Sequence, residues 1–285
     1  MNKIQEYKID GEKRLLRDVL LKEIKLSVTI LKRLKPTGLF VNGERVTVRY
    51  PVGEGDTLRL VYPVDSESDI EAIESPLRVI YEDLDVLAVS KPTTMPVHPS
   101  RGNHLVTLAN AVMWYYRDEP FVFRAVNRLD RDTSGIVLIA KNQEAAYRLS
   151  DAMKRGEFVK EYLAVVDGCP REKIGTVNAK IDREREGEMR RVVRDDGKDA
   201  ITHYEVVDTK GERSLLRIRL ETGRTHQIRV HLAHIGHPLC NDFLYGSGKA
   251  GDSYMLHAER LSFPHPRTGE TITLRDEAPF IWNKD

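Results

Sequence analysis

The sequence contains little cysteine and no long apolar segment. Cys169 and Cys240 are the two cysteines among 285 residues and fit no paired-thiol motif. A cysteine metal site is therefore not predicted, and a reducing cytoplasm is the expected compartment. No apolar run reaches the roughly eighteen residues that a membrane span needs, so none is expected. The first ten residues mix charged and polar side chains, which argues against a secretory signal.

The bulk composition favours a folded chain with a substantial core. Hydrophobic residues make up 40% and charged residues 31% of the sequence, which is typical of globular proteins and excludes a disordered one. The length predicts one or two domains. The formal net charge of +1 by itself argues neither for nor against a nucleic-acid partner.

The charges are distributed unevenly along the chain. Residues 1–62 hold thirteen Lys and Arg against eight Asp and Glu, a balance of +5, whereas residues 63–90 are acidic, with one Arg and no Lys. A basic segment followed by an acidic one suggests that the first faces a polyanion. The alternative is an ordinary solvated helix surface, and charge alone does not separate the two.

The basic segment has the pattern of a small α+β unit. Apolar residues at helical spacing predict helix between Glu12 and Lys35, with Ser27 as an N-cap for its second part. A hairpin follows, with Asn42-Gly43 as its turn and Arg45 to Val48 as the returning strand. The stretch LSVTILKRLKPTGLFVNGERVTVRYPVGEGDTL resembles the RNA-binding module named after ribosomal small-subunit protein four. The resemblance implies RNA contacts by Lys32, Arg33, Lys35 and Arg45.

The rest of the chain predicts a larger α+β domain. We interpret residues 63–75, which are acidic and lack periodicity, as a linker between a module at 1–62 and a domain at 76–285. In the second domain, short apolar runs of strand length alternate with helical patterns such as Gln143 to Arg155. The predicted class is a mixed, mostly antiparallel sheet with flanking helices.

One short polar segment stands out for its chemistry. NRLDRDTSG, residues 127–135, holds two aspartates and two arginines directly before an apolar strand, where enzymes often place reactive groups. Neighbouring positive charge favours the ionised form of a carboxylate, which can then act as a nucleophile or base. Without further information, a charged turn held by salt bridges is the preferred explanation of the segment.

This segment resembles the signature H-R-L-D-x-x-T-S-G of RluA-type pseudouridine synthases. The resemblance extends, in the family's order, over VIYEDLDVLAVSKPTTMPVHPS, KEYLAVVDG, GRTHQIRVHLAHIGHPLCND and MLHAERLSFPHPRTGE, and so spans about residues 76–285. It implies an enzyme that isomerises uridine to pseudouridine in RNA, without cofactor or metal. The expected partner is structured RNA, ribosomal RNA rather than transfer RNA, and a monomer is the default expectation.

The resemblance also implies roles for individual residues. Asp130 corresponds to the family's catalytic aspartate, and Tyr162 to its active-site tyrosine. A carboxylate in a dry pocket needs a paired cation, and Arg224 is the partner that the resemblance offers. Arg128 would fill the space of an extruded base or contact a phosphate, because a stacked nucleotide is inaccessible to chemistry. Lys160 would contact a phosphate or a base.

Two positions depart from the family pattern. Asn127 stands where the family usually has histidine, and asparagine hydrogen-bonds but does not titrate near neutral pH. We therefore expect a structural or RNA-contacting role there, not a proton carrier. Cys240 stands where glycine is more common, which concerns a turn. For Asp132, turn hydrogen bonding is preferred over the role of second acid in a hydrolase.

Three other interpretations remain open. His226, His231, His234 and His237 lie within twelve residues, but Gly236 and Pro238 interrupt the helix and no acidic ligand completes a metal motif. A non-catalytic RNA-binding or ribosome-assembly protein of the same fold is favoured by Asn127 and disfavoured by the catalytic set. A nucleoside hydrolase would release free uracil, which an isomerase does not.

Overall fold

The chain forms a mixed α+β fold whose largest sheet is mostly antiparallel, as predicted. The computed structural model describes residues 4–24, 26, 28–62, 69–100, 106–249, 251–280 and 282, with the backbone alone for Thr29 and Arg33. No helix in these ranges is long and apolar enough to cross a bilayer.

The chain forms five α-helices, one π-helical turn and seventeen strands within the described residues. The helices are α1 Leu16–Asp18, which continues as the π-helical turn Val19–Glu23, α2 Val28–Leu34, α3 Leu108–Tyr115, α4 Gln143–Lys154 and α5 Gln227–His234. The strands are β1 Ile4–Lys8, β2 Arg14–Leu15, β3 Leu39–Val41, β4 Glu44–Arg45, β5 Pro51–Val52, β6 Thr57–Val61, β7 Arg78–Glu82, β8 Val86–Lys91, β9 Ser134–Ala140, β10 Val159–Asp167, β11 Ile174–Asn178, β12 Ile181–Arg183, β13 Arg191–Val193, β14 Ile201–Lys210, β15 Arg213–Leu220, β16 Leu256–Pro264 and β17 Thr271–Arg275.

The N-terminal unit is a four-stranded sheet in the order β1-β6-β3-β4, with α1 and α2 packed on it. The predicted turn is confirmed, because Asn42 and Gly43 have φ values of 51° and 87° and a type I′ turn needs positive φ at both positions. The returning strand is shorter than predicted and ends at Arg45. The sequence analysis did not predict β1, because its charged and polar side chains lack the apolar pattern of a strand. It pairs with β6. Ser27 lies outside the described residues.

The helical segment of this unit starts later than its apolar spacing predicted. Arg14 and Leu15 form β2 with β5, and the helix begins at Leu16. Leu16, Leu20 and Leu34 are completely buried in one core. The spacing therefore identified the buried face correctly, whereas pairing with β5 set the boundary.

The large sheet has the order β11-β14-β15-β10-β16-β9-β8-β7, with β17 added beside β16. Every residue of β9 is buried, because both faces of the sheet are covered there. Val137 belongs to the core that includes α3 and α5, and Leu138 to the core that includes α4. A strand buried on both faces has a continuous apolar sequence, which is why its run was recognisable.

The start of β9 is held against β16 by a close backbone contact. These two strands run parallel, whereas the other described pairings of this sheet are antiparallel. Gly135 has a φ of 111°, and a Cβ there would lie 2.4 Å from the carbonyl oxygen of Ala258. Glycine is thus required, and the residues before it are fixed relative to β16.

The N-terminal unit contacts the larger part of the chain at α4. Arg148 Nη2 donates to the carbonyl of Ile24 at 2.9 Å, and Tyr7 and Arg148 line a cavity of about 120 Å³ together with Arg267. This contact lies near the C-terminal ends of β9 and β16. Residues 63–68 of the predicted linker are outside the described residues, and residues 69–77 form neither helix nor strand.

Candidate active site

The loop before β9, which carries Asp130, is fastened to the end of β8 by a buried lysine. Lys91 is fully buried, and its Nζ donates to the carbonyls of Pro92, Met95 and Arg131 at 2.8, 2.8 and 2.9 Å. Burial lowers the pKa of Lys91 to about 7. Three hydrogen bonds from one nitrogen join two loops that are 40 residues apart in sequence.

Asp132 is engaged in a local ion pair. Arg131 donates from Nε and Nη2 to its two carboxylate oxygens at 2.9 and 2.8 Å, and Thr93 donates to its carbonyl at 3.0 Å. Asp132 is buried, so both oxygens are occupied away from solvent. This supports the structural role expected for Asp132 and leaves a hydrolase without its second acid.

Asp130 opens into a cleft of about 70 Å³ between its loop and the start of α5. Its side chain is 28% exposed, and its Oδ2 lies 3.9 Å from Arg229 Nη1 and 3.9 Å from His226 Nε2. Neither distance is a direct hydrogen bond. The carboxylate therefore faces two nitrogen donors across a gap and remains accessible to a bound molecule.

Arg229 is held rigidly by its surroundings. Its Nε and Nη2 donate to the carboxylate of Asp242 at 2.7 and 2.8 Å, and its guanidinium lies 4.4 and 4.9 Å from the ring centroids of Tyr254 and Tyr245. Burial opposes its charge, but the hydrogen bonds to Asp242 and the facing carboxylates raise the pKa of Arg229 above its ordinary value. The remaining Nη1 is a fixed positive donor directed at Asp130.

His226 forms the N-terminal cap of α5 in a left-handed conformation, with a φ of 57°. Its Nδ1 is 2.9 Å from the hydroxyl of Tyr245, and that hydroxyl accepts the backbone N–H of Arg191 at 2.8 Å. The phenol hydrogen is thus free to bond Nδ1, which leaves the ring hydrogen on Nε2, facing Asp130. Burial lowers the pKa of His226, although the charge of Asp130 opposes this.

Tyr162 lies on β10 and lines the same cleft as Asp130. It is 7% exposed. Burial, and then the negative charge of Asp130, raise the pKa of Tyr162 above its ordinary value, so the phenol remains protonated at neutral pH. An aromatic ring thus lines a cleft that also holds a carboxylate and a fixed cation.

Comparison with known proteins shows the family to which the chain belongs. The sequence profile of the RNA pseudouridylate synthase family matches residues 85–234, which include Asp130, Tyr162 and Arg229. The chain belongs to this family. It is therefore an RNA pseudouridine synthase, an isomerase.

Individual relatives cover most of the chain. An uncharacterized RNA pseudouridine synthase of Bacillus subtilis, YjbO, is 40% identical over 263 residues, which are 90% of this chain and 93% of the relative. Ribosomal large subunit pseudouridine synthase D of Xanthomonas campestris is 37% identical, with 86% and 78% covered. Among solved structures, human RNA pseudouridylate synthase domain containing 1 matches with a TM-score of 0.63 at 27% identity, over 72% of this chain and 85% of the human one.

The partner expected for Asp130 requires a correction. Arg224 lines the cleft, but its Nε donates to the backbone carbonyl of Asp199 at 2.9 Å, and it is exposed. Arg229 instead faces the carboxylate of Asp130, because it lies on the buried side of α5 whereas Arg224 precedes the helix. A detectable signal was available, since an arginine between Ile228 and Val230 in an apolar helix needs a buried acid.

The two predicted RNA-binding residues of the larger domain, Arg128 and Lys160, lie at or near the mouth of the cleft. Arg128 is exposed and lines it. Lys160 is half-buried on β10, and burial lowers its pKa. Its Nζ would lie 3.8 Å from a Cβ built on Gly223, the residue before Arg224. Lys160 therefore lies beside the cleft and does not belong to its lining.

Asn127 has a structural role in the synthase. Its Nδ2 donates to the carbonyl of Ile136 at 3.0 Å, and its Oδ1 accepts the backbone N–H of Leu138 at 2.8 Å. The side chain thus takes the place of a neighbouring strand at the edge of β9. Both ends of the amide are used, so this position does not need a titrating group.

His231, on α5, is used as a hydrogen-bonding group. Both ring nitrogens of His231 are occupied, by Thr202 Oγ1 at 2.9 Å and by the carbonyl of Ala179 at 2.8 Å. In the described part of the chain, Asp83, Asp85 and His265 bring potential ligand atoms together. His265 Nε2 already bonds Asp83 at 3.0 Å, and the cluster is explained by such bonds.

The predicted RNA-binding residues of the N-terminal unit lie outside the cleft. Lys32, Lys35 and Arg45 are exposed, and Arg45 Nη2 also donates to the carbonyl of Pro36. The side chain of Arg33 is outside the described part. Lys32, Lys35 and Arg45 are not among the residues that line the cleft of Asp130.

Proposed function

We propose that the carboxylate of Asp130 is the catalytic group with which this synthase converts uridine to pseudouridine, without a cofactor. The reaction breaks the bond between ribose C1′ and uracil N1, rotates the base, and forms a bond between C1′ and C5. The proton lost from C5 is balanced by the hydrogen gained at N1. Product and substrate have the same atoms and oxidation state, so no external oxidant or energy source is needed.

The observation that carries this proposal is the arrangement around Asp130. Its accessible carboxylate faces Arg229 Nη1 at 3.9 Å, and Arg229 is locked by Asp242. A preorganised cation stabilises negative charge on the carboxylate without reorganising during the reaction. It also leaves one side of the carboxylate free for the nucleotide, as nucleophilic or acid–base chemistry requires.

Tyr162 would contact the flipped uracil through its ring. Its position in the lining of the cleft, its burial and its protonated state favour stacking over proton transfer at neutral pH. Arg128, exposed at the mouth, would occupy the space left by the extruded base or contact a phosphate. Arg224 would contact the RNA backbone near the mouth, and Lys160 a phosphate beside it.

The substrate is proposed to be structured RNA, with large-subunit ribosomal RNA favoured over transfer RNA. Relatives in Xanthomonas campestris and Haemophilus influenzae are ribosomal large subunit pseudouridine synthases. We interpret residues 1–62, with their excess of positive charge, as a separate RNA-binding module of the kind found in ribosomal small-subunit protein four. It would act through phosphate contacts of Lys32, Arg33, Lys35 and Arg45, and the enzyme would act as a monomer.

The test is an isomerisation assay on unmodified ribosomal and transfer RNA. Wild type, Asp130→Asn and the surface control Asp118→Asn are incubated without metal or cofactor, and pseudouridine is mapped by carbodiimide-blocked primer extension. We expect stops on large-subunit RNA with wild type and Asp118→Asn, and none with Asp130→Asn, which still binds RNA. Stops with Asp130→Asn would contradict the assignment of Asp130.

The alternative is a catalytically inactive RNA-binding or ribosome-assembly protein of the same fold. Its main support was Asn127, and the hydrogen bonds of this residue with β9 give it a structural explanation. Tight RNA binding by wild type, together with no pseudouridine on any RNA, would favour this alternative. Released free uracil would instead indicate a hydrolase.

A further inference from the structure

Three buried polar residues form a chain next to the active-site loop. Ser134 Oγ lies 2.9 Å from His257 Nδ1. His257 Nε2 lies 3.1 Å from the backbone carbonyl of Asp276 and 3.7 Å from its Oδ2. All three residues are at least nine-tenths buried. None of the roles proposed above uses them.

The set has the residue types of a Ser-His-Asp triad but not its accessibility. A nucleophilic serine must reach a substrate, whereas Ser134 is 5% exposed and His257 1% exposed. Ser134 also lies within the sheet, paired in register with His257 of β16. These three residues can therefore fix the position of a neighbouring segment, but Ser134 cannot attack a substrate.

The hydrogen-bond directions follow from the acceptors. A carbonyl oxygen only accepts, so the bond to Asp276 requires the ring hydrogen on His257 Nε2. Nδ1 of the neutral ring then accepts the hydroxyl hydrogen of Ser134. The other acceptor for that hydroxyl, the carbonyl of Leu256, is 3.5 Å away, so the shorter bond to His257 is favoured.

The carboxylate of Asp276 favours this tautomer. Both of its oxygens are buried and have no hydrogen-bond partner among the described residues, and Arg78 Nη2 approaches Oδ1 at 3.3 Å without forming a hydrogen bond. A buried carboxylate of this kind is costly unless it interacts favourably. Its negative charge beside His257 Nε2 favours the N–H at that nitrogen, and so keeps Nδ1 as the acceptor for Ser134.

Ser134 connects directly to the loop of Asp130. It is the first residue of β9 and follows Thr133, whose backbone N–H donates to the carbonyl of Asp130 at 3.2 Å. Thr133 also contacts Tyr254 through their hydroxyls at 3.2 Å, and Tyr254 packs against Arg229. Displacement of Ser134 would thus change the distance between Asp130 and Arg229.

We infer that His257 is a positioning residue for catalysis: oriented by Asp276, it holds Ser134 and thereby the loop that carries Asp130. This inference rests on the proposed role of Asp130. Misplacement of a reacting group by about 1 Å lowers rates on the order of 100-fold. Loss of the hydrogen bond to Ser134 should therefore lower the catalytic rate more than it affects RNA binding.

The test uses the full-length synthase and variants at both ends of the bond. Ser134→Ala removes the donor. His257→Gln places its amide near the position of Nε2 and so removes the acceptor at Nδ1. His257→Asn places its amide near the position of Nδ1 and so retains an acceptor for Ser134. Ser262→Ala is the matched control, because Ser262 is also buried on β16 and bonds Thr273 Oγ1 at 2.9 Å.

We expect kcat to fall about 10- to 100-fold in Ser134→Ala and His257→Gln, with KM for RNA unchanged. The double variant should fall no further than either single variant. His257→Asn should retain most of the activity, and Ser262→Ala all of it. Wild-type kcat in both single variants, or effects that multiply in the double variant, would overturn the inference.

Hydrogen–deuterium exchange provides a readout that does not depend on the RNA chosen. Exchange in residues 128–134 should be faster in Ser134→Ala and His257→Gln than in wild type and Ser262→Ala. Unchanged exchange there would overturn the positioning role even if wild type proved inactive on every RNA tested. Failure of the proposed function would instead appear as an inactive wild type or an active Asp130→Asn.

Discussion

Arg229 binds Asp242 through two nitrogens and keeps its third, Nη1, 3.9 Å from the carboxylate of Asp130. The cation opposite the proposed catalytic group is therefore fixed by a second acid, Asp242. Asp242 is itself held by the backbone N–H groups of Leu244 and Tyr245 at 3.0 and 3.2 Å.

Arg229→Lys should lower kcat by on the order of 100-fold, because an ammonium cannot bond Asp242 through two nitrogens and also face Asp130. Arg224→Lys is the matched control and should lower kcat only a few-fold, since Arg224 lies exposed at the mouth of the cleft. The measurement is the single-turnover rate of each variant on the RNA that wild type modifies. A larger loss in Arg224→Lys than in Arg229→Lys would restore the partner expected from the sequence.

Tyr162→Phe should retain most of the activity, because burial raises the pKa of this phenol and keeps it protonated. Tyr162→Leu should lose about 5- to 100-fold, the value of one base–aromatic stacking contact. The pH–rate profiles of wild type and Tyr162→Phe should coincide between about pH 6 and pH 9. A profile that changes shape in Tyr162→Phe would indicate proton transfer by the hydroxyl.

Lys91→Met should destabilise the fold by roughly 3 kcal/mol or more, because buried carbonyls lose their donor, three for the ammonium form and two for the neutral amine. The pKa of Lys91 is lowered to about 7 in the folded chain, so between that value and its ordinary value the unfolded chain binds more protons. Stability from this group therefore rises with pH. In denaturant unfolding, the difference in the free energy of unfolding between wild type and Lys91→Met should grow from about pH 7 to pH 9. A difference that stays constant with pH would contradict the lowered pKa of Lys91.

Asn127→Ala should lower the free energy of unfolding by about 1 to 3 kcal/mol, because two backbone groups of β9 lose their partners. Where the variant is folded, its pseudouridine formation should stay within a few-fold of wild type. Thermal unfolding and the isomerisation assay test this together. Normal stability combined with lost activity would show that Asn127 acts in the chemistry.

Lys32→Ala and Lys35→Ala should each weaken RNA binding and lower the slope of log Kd against log salt concentration by about 0.9, one phosphate contact each. Lys154→Ala, on the last turn of α4, serves as the control. Binding is measured by filter retention at several salt concentrations. If all three substitutions weakened RNA binding equally, the weaker binding would reflect the loss of overall positive charge and not of contacts made by the N-terminal unit.

Sequence reasoning succeeded where local signals are strong. The continuous apolar run of β9, the periodicity of α4 and the Asn42-Gly43 turn each determine a local structure through short-range sterics and burial. Strands β1 and β11 were missed, because mixed polar sequences such as that of β1 pair only when a partner strand is present. The boundary at Leu16 likewise depends on the pairing of Arg14 with Val52.

By itself, the sequence determined the family, the fold class and the segment that carries Asp130, because these depend on motifs and on the alternation of apolar residues. Only the tertiary structure decided that Arg229, and not Arg224, faces Asp130, that Lys91 fastens the loop, and that His257 bonds Ser134. Lys91 and Arg131 are 40 residues apart in sequence, and Ser134 and His257 are 123 residues apart. Their approach depends on strand order and on how elements distant in sequence pack together, which no local pattern encodes.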